Sequence, residues 1–411
     1  MAGTWERITE VVSGRPDLDL TVFFLGDAPR VIPRGDNARH VLLPPALGTE
    51  RLPFLRGIPT NTDLAPLHPG LFRRLRGFHV LHTTDAFHAF AKTAFWRARL
   101  REVPLVNSIQ TDIIGWARIY TPRILRRVLP GTLARWILDR YGYLDRQERS
   151  MERRLGKYMR GCAAVFVSHQ RDRERIQRLA PSTPTFSLRR GIDLELFHPR
   201  RRDRKRLEER FSIPPERCLL LFVGRIDPVK GALIAAEVTG GLLEQGRDVH
   251  LLMVGDGSQR EEVAGFVDDR ATLTGNLPYG DLGWIYASAD LLLFPSEAEV
   301  WPNVVMEARA CGLPVVACRE GAQHVMEGSG RDGILLPNRE TSVWLQETGT
   351  LLAQSGHLRE MGLRARQDVE ASAPSWEQVL EKDLLSVWRW AAGGSLPAPP
   401  PSRTHSRNLA S

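Results

Sequence analysis

The chain has no run of eighteen consecutive apolar residues, so its 411 residues offer no membrane-crossing helix. The start, Met1-Ala2-Gly3-Thr4-Trp5-Glu6, lacks the apolar core of a secretory signal. Cysteine is scarce. Cys162, Cys218, Cys311 and Cys318 are widely spaced or in apolar context, and no C-x-x-C pair exists. This predicts reduced, mostly buried thiols in a cytosolic protein. Stacking aromatics are not interleaved with the basic runs, and no nucleic-acid-binding module is present, so nucleic acid is not an expected partner.

Length and positive charge are what the chain has in abundance. At 411 residues it is too long for one ordinary core, and two domains of about 200 residues suit it. The net charge is +8. Much of the excess lies between Arg118 and Arg210, including the run Arg200-Arg201-Arg202-Asp203-Arg204-Lys205-Arg206. Such a surface can meet anionic lipid or an acidic substrate, or can simply be a solvated face. From Pro122 to Tyr143, Arg123, Arg126, Arg127, Arg135 and Arg140 mix with Leu125, Leu129, Leu133 and Trp136. A basic amphipathic stretch of this kind reads as docking on an anionic membrane, cytoplasmic and peripheral. The alternative is a helix with an ordinary buried face.

Apolar strands alternate with helical spans through the C-terminal half. Strands are expected at 219–223, 249–254, 271–274, 291–294 and 314–317. In the N-terminal half they are expected at 20–25, 80–82, 104–108 and 163–168. Alternation of this kind predicts an α/β fold with doubly wound parallel sheets. The expected domains are 1–188 and 189–372, followed by a closing helix in 373–392 and a disordered Pro/Ser/Gly-rich tail in 393–411.

The most informative segment is Ser296-Glu297-Ala298-Glu299-Val300-Trp301-Pro302-Asn303-Val304-Val305-Met306-Glu307. It joins a strand to a helix, the place where open α/β sheets bind ligands. Pro302 suits the first helical position, and the amides beyond it can face an anion. Glu299 and Glu307 would flank that anion. Two repeats earlier in the chain, Gly224-Arg225 ends a strand and Lys230-Gly231 opens a helix. Glycine lets the backbone approach a diphosphate while Arg225 and Lys230 neutralise it. Each motif alone also fits a turn with solvated charges; together they point to a ligand with phosphates between hydroxyl-bearing ends, such as a sugar nucleotide. Gly255-Asp256-Gly257 reads mostly as a tight turn.

These motifs resemble those of the family-4 retaining glycosyltransferases of GT-B fold, nearest to bacterial glycolipid mannosyltransferase-like members. The Glu299/Glu307 pair matches the E-x7-E signature, and Arg190-Gly191-Ile192-Asp193-Leu194-Glu195-Leu196-Phe197-His198-Pro199 resembles the family's entry to the second domain. The resemblance implies two Rossmann-like domains facing across a cleft and a UDP- or GDP-linked sugar as donor. It implies a lipid or saccharide acceptor on the N-terminal domain and no cofactor beyond the donor. Glu299 would bind donor-sugar hydroxyls and Glu307 the ribose. Gly224, Arg225, Lys230 and the amides of Asn303 and Val304 would hold the diphosphate, and Asn276-Leu277 the nucleobase. Gln110, in Gln110-Thr111-Asp112, stands where many members have a histidine; glutamine can bond a sugar hydroxyl but cannot transfer a proton.

Two departures stand out. Trp301-Pro302 replaces the usual Phe-Gly. The family's first strand and glycine-rich loop are not recognisable before Leu20, which leaves a non-catalytic binding protein of the same fold as the rival reading.

Overall fold

The computed structural model describes residues 2–49, 62–140, 142–168, 170–297, 299–328 and 330–394. The tail call falls largely on 395–411, outside the described residues. Six strands, β8 (Cys218–Val223), β9 (Val249–Val254), β10 (Ala271–Leu273), β11 (Leu291–Phe294), β12 (Val315–Cys318) and β13 (Ile334–Leu336), form the C-terminal sheet. All are parallel, in the order β10-β9-β8-β11-β12-β13. The order reverses between β8 and β11, and that reversal opens a crevice at their C-terminal ends. Leu-rich β8 and β11 and Val-rich β12 are buried because helices cover both faces. One face packs Leu219, Leu221, Leu292 and Val315 with Tyr286; the other packs Leu220, Leu291, Leu293 and Val316 with Trp344.

The N-terminal strands fall into two sheets. β4 (Leu81–Thr83), β5 (Leu105–Ser108), β6 (Ala164–Val167) and β7 (Thr185–Ser187) are parallel in that order. β1 (Leu20–Leu25) runs parallel to β3 (Ala38–Leu43), and β2 (Arg30–Pro33) pairs antiparallel to β3. Four strands, the short β2, β7 and β13 and the longer β3, escape the pattern reading. Helix Ala2–Val12 leads into β1, and its Trp5, Ile8 and Val12 are buried in the N-terminal core.

The last helix returns to that core. It is α-helical at Trp376–Gln378 and Ser386–Ala391, with a π-helical span, Val379–Leu385, between them. Leu380, Leu384 and Trp388 pack with Trp5 and Phe166. Asp383 clamps Arg189 through its guanidinium and its backbone amide, at 2.7 and 2.9 Å. His82 lies among Trp5, Phe166 and Trp388, and its Nδ1 accepts from the Trp388 indole at 3.0 Å. Burial pushes this imidazole down to about 3, so it is neutral and structural. The segment 122–143 is not one helix. It is the end of helix Ile113–Val128, a break at Leu129-Pro130, the short helix Gly131–Arg135, a π-turn at Trp136–Arg140 and the start of helix Tyr143–Met159. Pro130 forces this break because a proline restricts the residue before it to extended backbone, and Leu129 is extended.

Candidate functional site

Two loops meet at the crevice. The loop Gly224–Gly231 follows β8, and Pro295–Pro302 follows β11. Their backbones are in contact, since a Cβ on Gly231, which has φ +69°, would lie 3.0 Å from the Pro295 carbonyl oxygen. Across this junction the Lys230 ammonium pairs with the Glu299 carboxylate, which also accepts from the Ser296 hydroxyl at 2.6 Å. The Arg225 guanidinium sits 3.1 Å from Asp227 Oδ2, and Asp227 is almost fully enclosed. The other Asp227 oxygen accepts the Lys230 backbone amide at 3.0 Å, holding the loop as a turn into the Ala232–Glu244 helix. So the structure brings Arg225, Lys230 and Glu299 together at the switch point.

Gly255-Asp256-Gly257 buttresses the first loop from behind. A Cβ on Gly255 would lie 1.9 Å from the Gly224 carbonyl oxygen, and one on Gly257 2.3 Å from that of Ile226. Only glycine permits these approaches, so the turn reading of this motif stands. Arg339 was missed. Its guanidinium donates to the carbonyls of Pro295 and Pro228, at 2.6 and 3.0 Å, and to that of Val229. One partly buried cation therefore ties both loops. A lone arginine after β13 carries no sequence signal for that role.

Glu307 lies on helix Asn303–Ala310, buried. Its two oxygens accept from the hydroxyls of Tyr279, at 3.2 Å, and Tyr286, at 3.0 Å. Burial raises this carboxyl to about 7, against the pull of both hydroxyls and of Arg7. Arg7 of the first helix lies 4.4 Å above the Tyr279 ring, so the N-terminal half touches this carboxylate's partner. Neither tyrosine was foreseen. Pro302 is the residue capping the helix rather than its first member, a shift of one position. The Asn303 amide donates to the Trp301 carbonyl at 3.1 Å, and the amides of Val305 and Met306 turn back to Pro302. An anion reaching Asn303 would have to displace that turn. Leu277 packs beside Tyr279, Trp301 and Val304 against the same core, and Asn276 follows Gly275, whose carbonyl accepts the Gly255 amide at 2.9 Å.

The N-terminal half approaches from helix Ile113–Val128. Asp112 caps it by accepting from the Gly115 amide at 3.0 Å. Gln110 precedes that cap, and its amide nitrogen donates to Ser108 at the tip of β5, at 3.1 Å. Trp116 of this helix stacks on Arg225, and Tyr120 lies 3.4 Å from Asp227.

Comparison with known proteins bears on the family likeness and the fold. The profile described as "Glycosyl transferases group 1" matches residues 217–354. Residues 217–354 are thus similar to the group 1 glycosyl transferases, and the sheet topology is GT-B-like. Among curated relatives, the D-inositol 3-phosphate glycosyltransferase of Segniliparus rotundus is 33% identical over 220 residues, 51% of this chain and 47% of that protein. The GDP-mannose-dependent alpha-mannosyltransferase of Corynebacterium glutamicum is 26% identical over 290 residues, 70% of this chain and 62% of that one. The chain thus spans about half the length of the inositol-phosphate relatives it matches. Among solved structures, sucrose-phosphate synthase of Thermosynechococcus elongatus has a TM-score of 0.66 at 19% identity, covering 91% of this chain and 89% of its own. Anabaena HepE, solved with UDP and glucose, has a TM-score of 0.65 at 16% identity, covering 92% and 93%. These two likenesses confirm the GT-B fold.

Proposed function

We propose that the protein is a retaining, family-4 hexosyltransferase that moves a sugar from a UDP- or GDP-linked donor to a lipid or saccharide acceptor. The observation that carries this reading is the junction at the switch point, where Arg225, Lys230 and Glu299 converge from two strand tips. Two cations beside a carboxylate suit a diphosphate joined to a sugar. Each cation is paired with a carboxylate, Arg225 with Asp227 and Lys230 with Glu299. The donor's phosphates would take over Lys230 and release Glu299 to accept from sugar hydroxyls. As the glycosidic bond breaks, charge grows on the leaving diphosphate, and fixed cations stabilise it there. The leaving diphosphate would then accept the proton of the acceptor hydroxyl on the same face. Glu307 would accept from the ribose hydroxyls, and Gln110 would bond a donor-sugar hydroxyl. The donor would sit on residues 189–372 and the acceptor on residues 1–188. The reading calls for no cofactor beyond the donor.

The relatives' printed activities support a hexosyl donor and a polyhydroxylated acceptor. A peripheral position on the cytoplasmic face of an anionic membrane belongs to the same reading. It is supported by Val128, Leu133 and Trp136, which are 51%, 42% and 50% exposed, beside exposed Arg126, Arg127, Arg135 and Arg140. No helix among the described residues is long and apolar enough to cross a membrane.

The test is calorimetric titration with UDP and GDP, paired with turnover of the corresponding sugar nucleotides. Glu299→Gln should bind nucleoside diphosphate at least as well as wild type, because it leaves Lys230 unpaired, yet lose about a hundredfold in turnover through misplaced sugar. A Glu299→Gln protein that loses nucleotide affinity and turnover equally would assign Glu299 to the nucleotide instead.

A further inference from the structure

Helix Ile113–Val128 belongs to the N-terminal half, yet two of its side chains end on the phosphate loop of the other half. Trp116 and Tyr120 are four residues apart, so they share one helix face. The Arg225 guanidinium lies 4.7 Å from the centroid of the Trp116 ring, and the Tyr120 hydroxyl is 3.4 Å from Asp227 Oδ2. Asp227 Oδ2 is also the oxygen 3.1 Å from Arg225. The ion pair is therefore bracketed, with a ring against the cation and a phenol against the anion. Tyr120 is 7% exposed and Trp116 is half-buried, so both positions are packed.

Arg225 has reason to need such a bracket. An arginine side chain loses much rotamer freedom when it is fixed, and a stacked guanidinium has part of that cost already met before a ligand arrives. The Arg225 side chain stays 31% exposed, so an acceptor can still reach it. Asp227 cannot fix Arg225 alone. Although the pair is within ion-pair distance, buried Nη2 makes no well-directed hydrogen bond. The ring supplies the missing restraint.

We propose that Trp116 is a positioning residue: it holds Arg225 in the orientation that binds the donor's diphosphate, so the N-terminal half sets the affinity of a site built on the C-terminal half. Tyr120 anchors the other member of the pair. The inference rests on the proposed donor reading. It adds that an intact acceptor-side helix is required for full diphosphate affinity.

The experiment is titration of the whole protein with UDP and GDP for Trp116→Ala, Trp116→Phe, Arg225→Ala and the double variant. Trp116→Ala should weaken binding of the preferred nucleotide by about three- to tenfold, the range of a partly desolvated cation–ring contact. Trp116→Phe should restore most of that loss. In the Arg225→Ala background Trp116→Ala should cost nothing further, because the group it positions is gone. Equal losses from Trp116→Ala with and without Arg225 would overturn the inference, and so would Trp116→Ala binding as wild type. If wild type binds neither nucleotide, the donor reading falls and takes this inference with it. Melting of each variant at the wild-type temperature shows that the loss is local.

Discussion

In the C-terminal half β9, β11 and β12 are buried at every position; in the N-terminal half β5 and β6 are too, but β1, in a separate small sheet, is partly exposed at all of its positions. The contrast extends to the loops. Behind Arg225 and Lys230, backbone meets backbone at Gly224 and Gly255, and Arg339 fastens the two loops that carry the charges. The N-terminal half is divided between two sheets and leaves Val128, Leu133 and Trp136 exposed beside the interruption of a helix. On the proposed reading, a fixed cradle would serve the diphosphate, which has the same shape in every donor. An acceptor or a membrane surface would be met by a more adaptable face. The close backbone packing lies behind the loops assigned to the donor.

A pair of glycine substitutions tests that contrast most severely. Gly255→Ala should cost about 3 kcal/mol or more, combining a backbone clash with strain at φ +138°. Gly131→Ala, with nothing near its missing Cβ and a place in a helix, should be neutral or stabilising by about 0.5–1 kcal/mol. Thermal melts decide. Similar costs for both would show that the cradle is no more rigid than the acceptor side.

Next comes the charge that the cradle presents. Arg225→Ala removes a charge-assisted contact of about 1.5–3 kcal/mol, so nucleoside diphosphate affinity should fall roughly ten- to a hundredfold. Arg135→Ala, on the exposed N-terminal face, should leave it unchanged. Calorimetry of both variants checks this, and wild-type affinity in Arg225→Ala would remove Arg225 from the site.

The two halves also differ in how much their sequences disclose. The run Leu219-Leu220-Leu221-Phe222-Val223 and its successors are apolar throughout, because strands covered on both faces need no alternation. Their tips carried Arg225, Lys230 and Glu299 in plain view. By contrast, β2 is short and mostly exposed, and β3 contains Arg39 and His40; His40 is buried with its ring nitrogens bonded to Thr9 at 3.1 Å and Arg34 at 3.3 Å. Pairing across sequence distance stays hidden in this way. The same holds for Tyr279 and Tyr286, which reach Glu307 from a separate helix, for Arg339, and for Trp116 on Arg225. Each is an ordinary residue in its own segment and gains a role only through its neighbour. The basic stretch after Pro122 showed its composition but not its division at Pro130.

A smaller effect follows from Glu307. Its carboxyl is raised to about 7 by burial, above the ordinary 4.5, so the folded protein holds a proton that the unfolded chain releases. The site's contribution to stability is therefore fully present below the unfolded value and is lost as pH rises through about 7. On the proposed reading, ionised Glu307 is the stronger acceptor for ribose hydroxyls, so nucleotide affinity should move the opposite way, rising up to about tenfold between pH 6 and 8. The nucleotide's own phosphate ionises near this range. Because that contribution is common to both proteins, the difference between the wild-type and Glu307→Gln profiles isolates the carboxylate. Parallel profiles would mean that Glu307 is structural, spent on its two tyrosines.

The smallest expected effect concerns the adaptable face. Val128, Leu133 and Trp136 lie exposed, so the alternative of an ordinary buried face fails for these three. Leu125 and Leu129 remain half-buried and belong to the packing of their own segment. Exposed apolar groups among arginines bind an anionic surface by two additive terms, burial of the ring and aliphatic groups and attraction of each cation by about 1 kcal/mol. The second term is screened within about 8–10 Å at physiological salt, so binding should weaken as salt rises. Co-sedimentation with vesicles containing phosphatidylserine, at low and high salt, separates the terms. Trp136→Ala should reduce the bound fraction at both salts, by a few-fold. Arg126→Ala together with Arg127→Ala should reduce it chiefly at low salt. Neither change touches the cradle, so nucleotide affinity should stay at its wild-type value. Absence of binding to these vesicles at low salt would leave this face as solvated surface and favour a soluble acceptor. The contrast would then be between a fixed half and a merely looser one, with no membrane to account for the looseness.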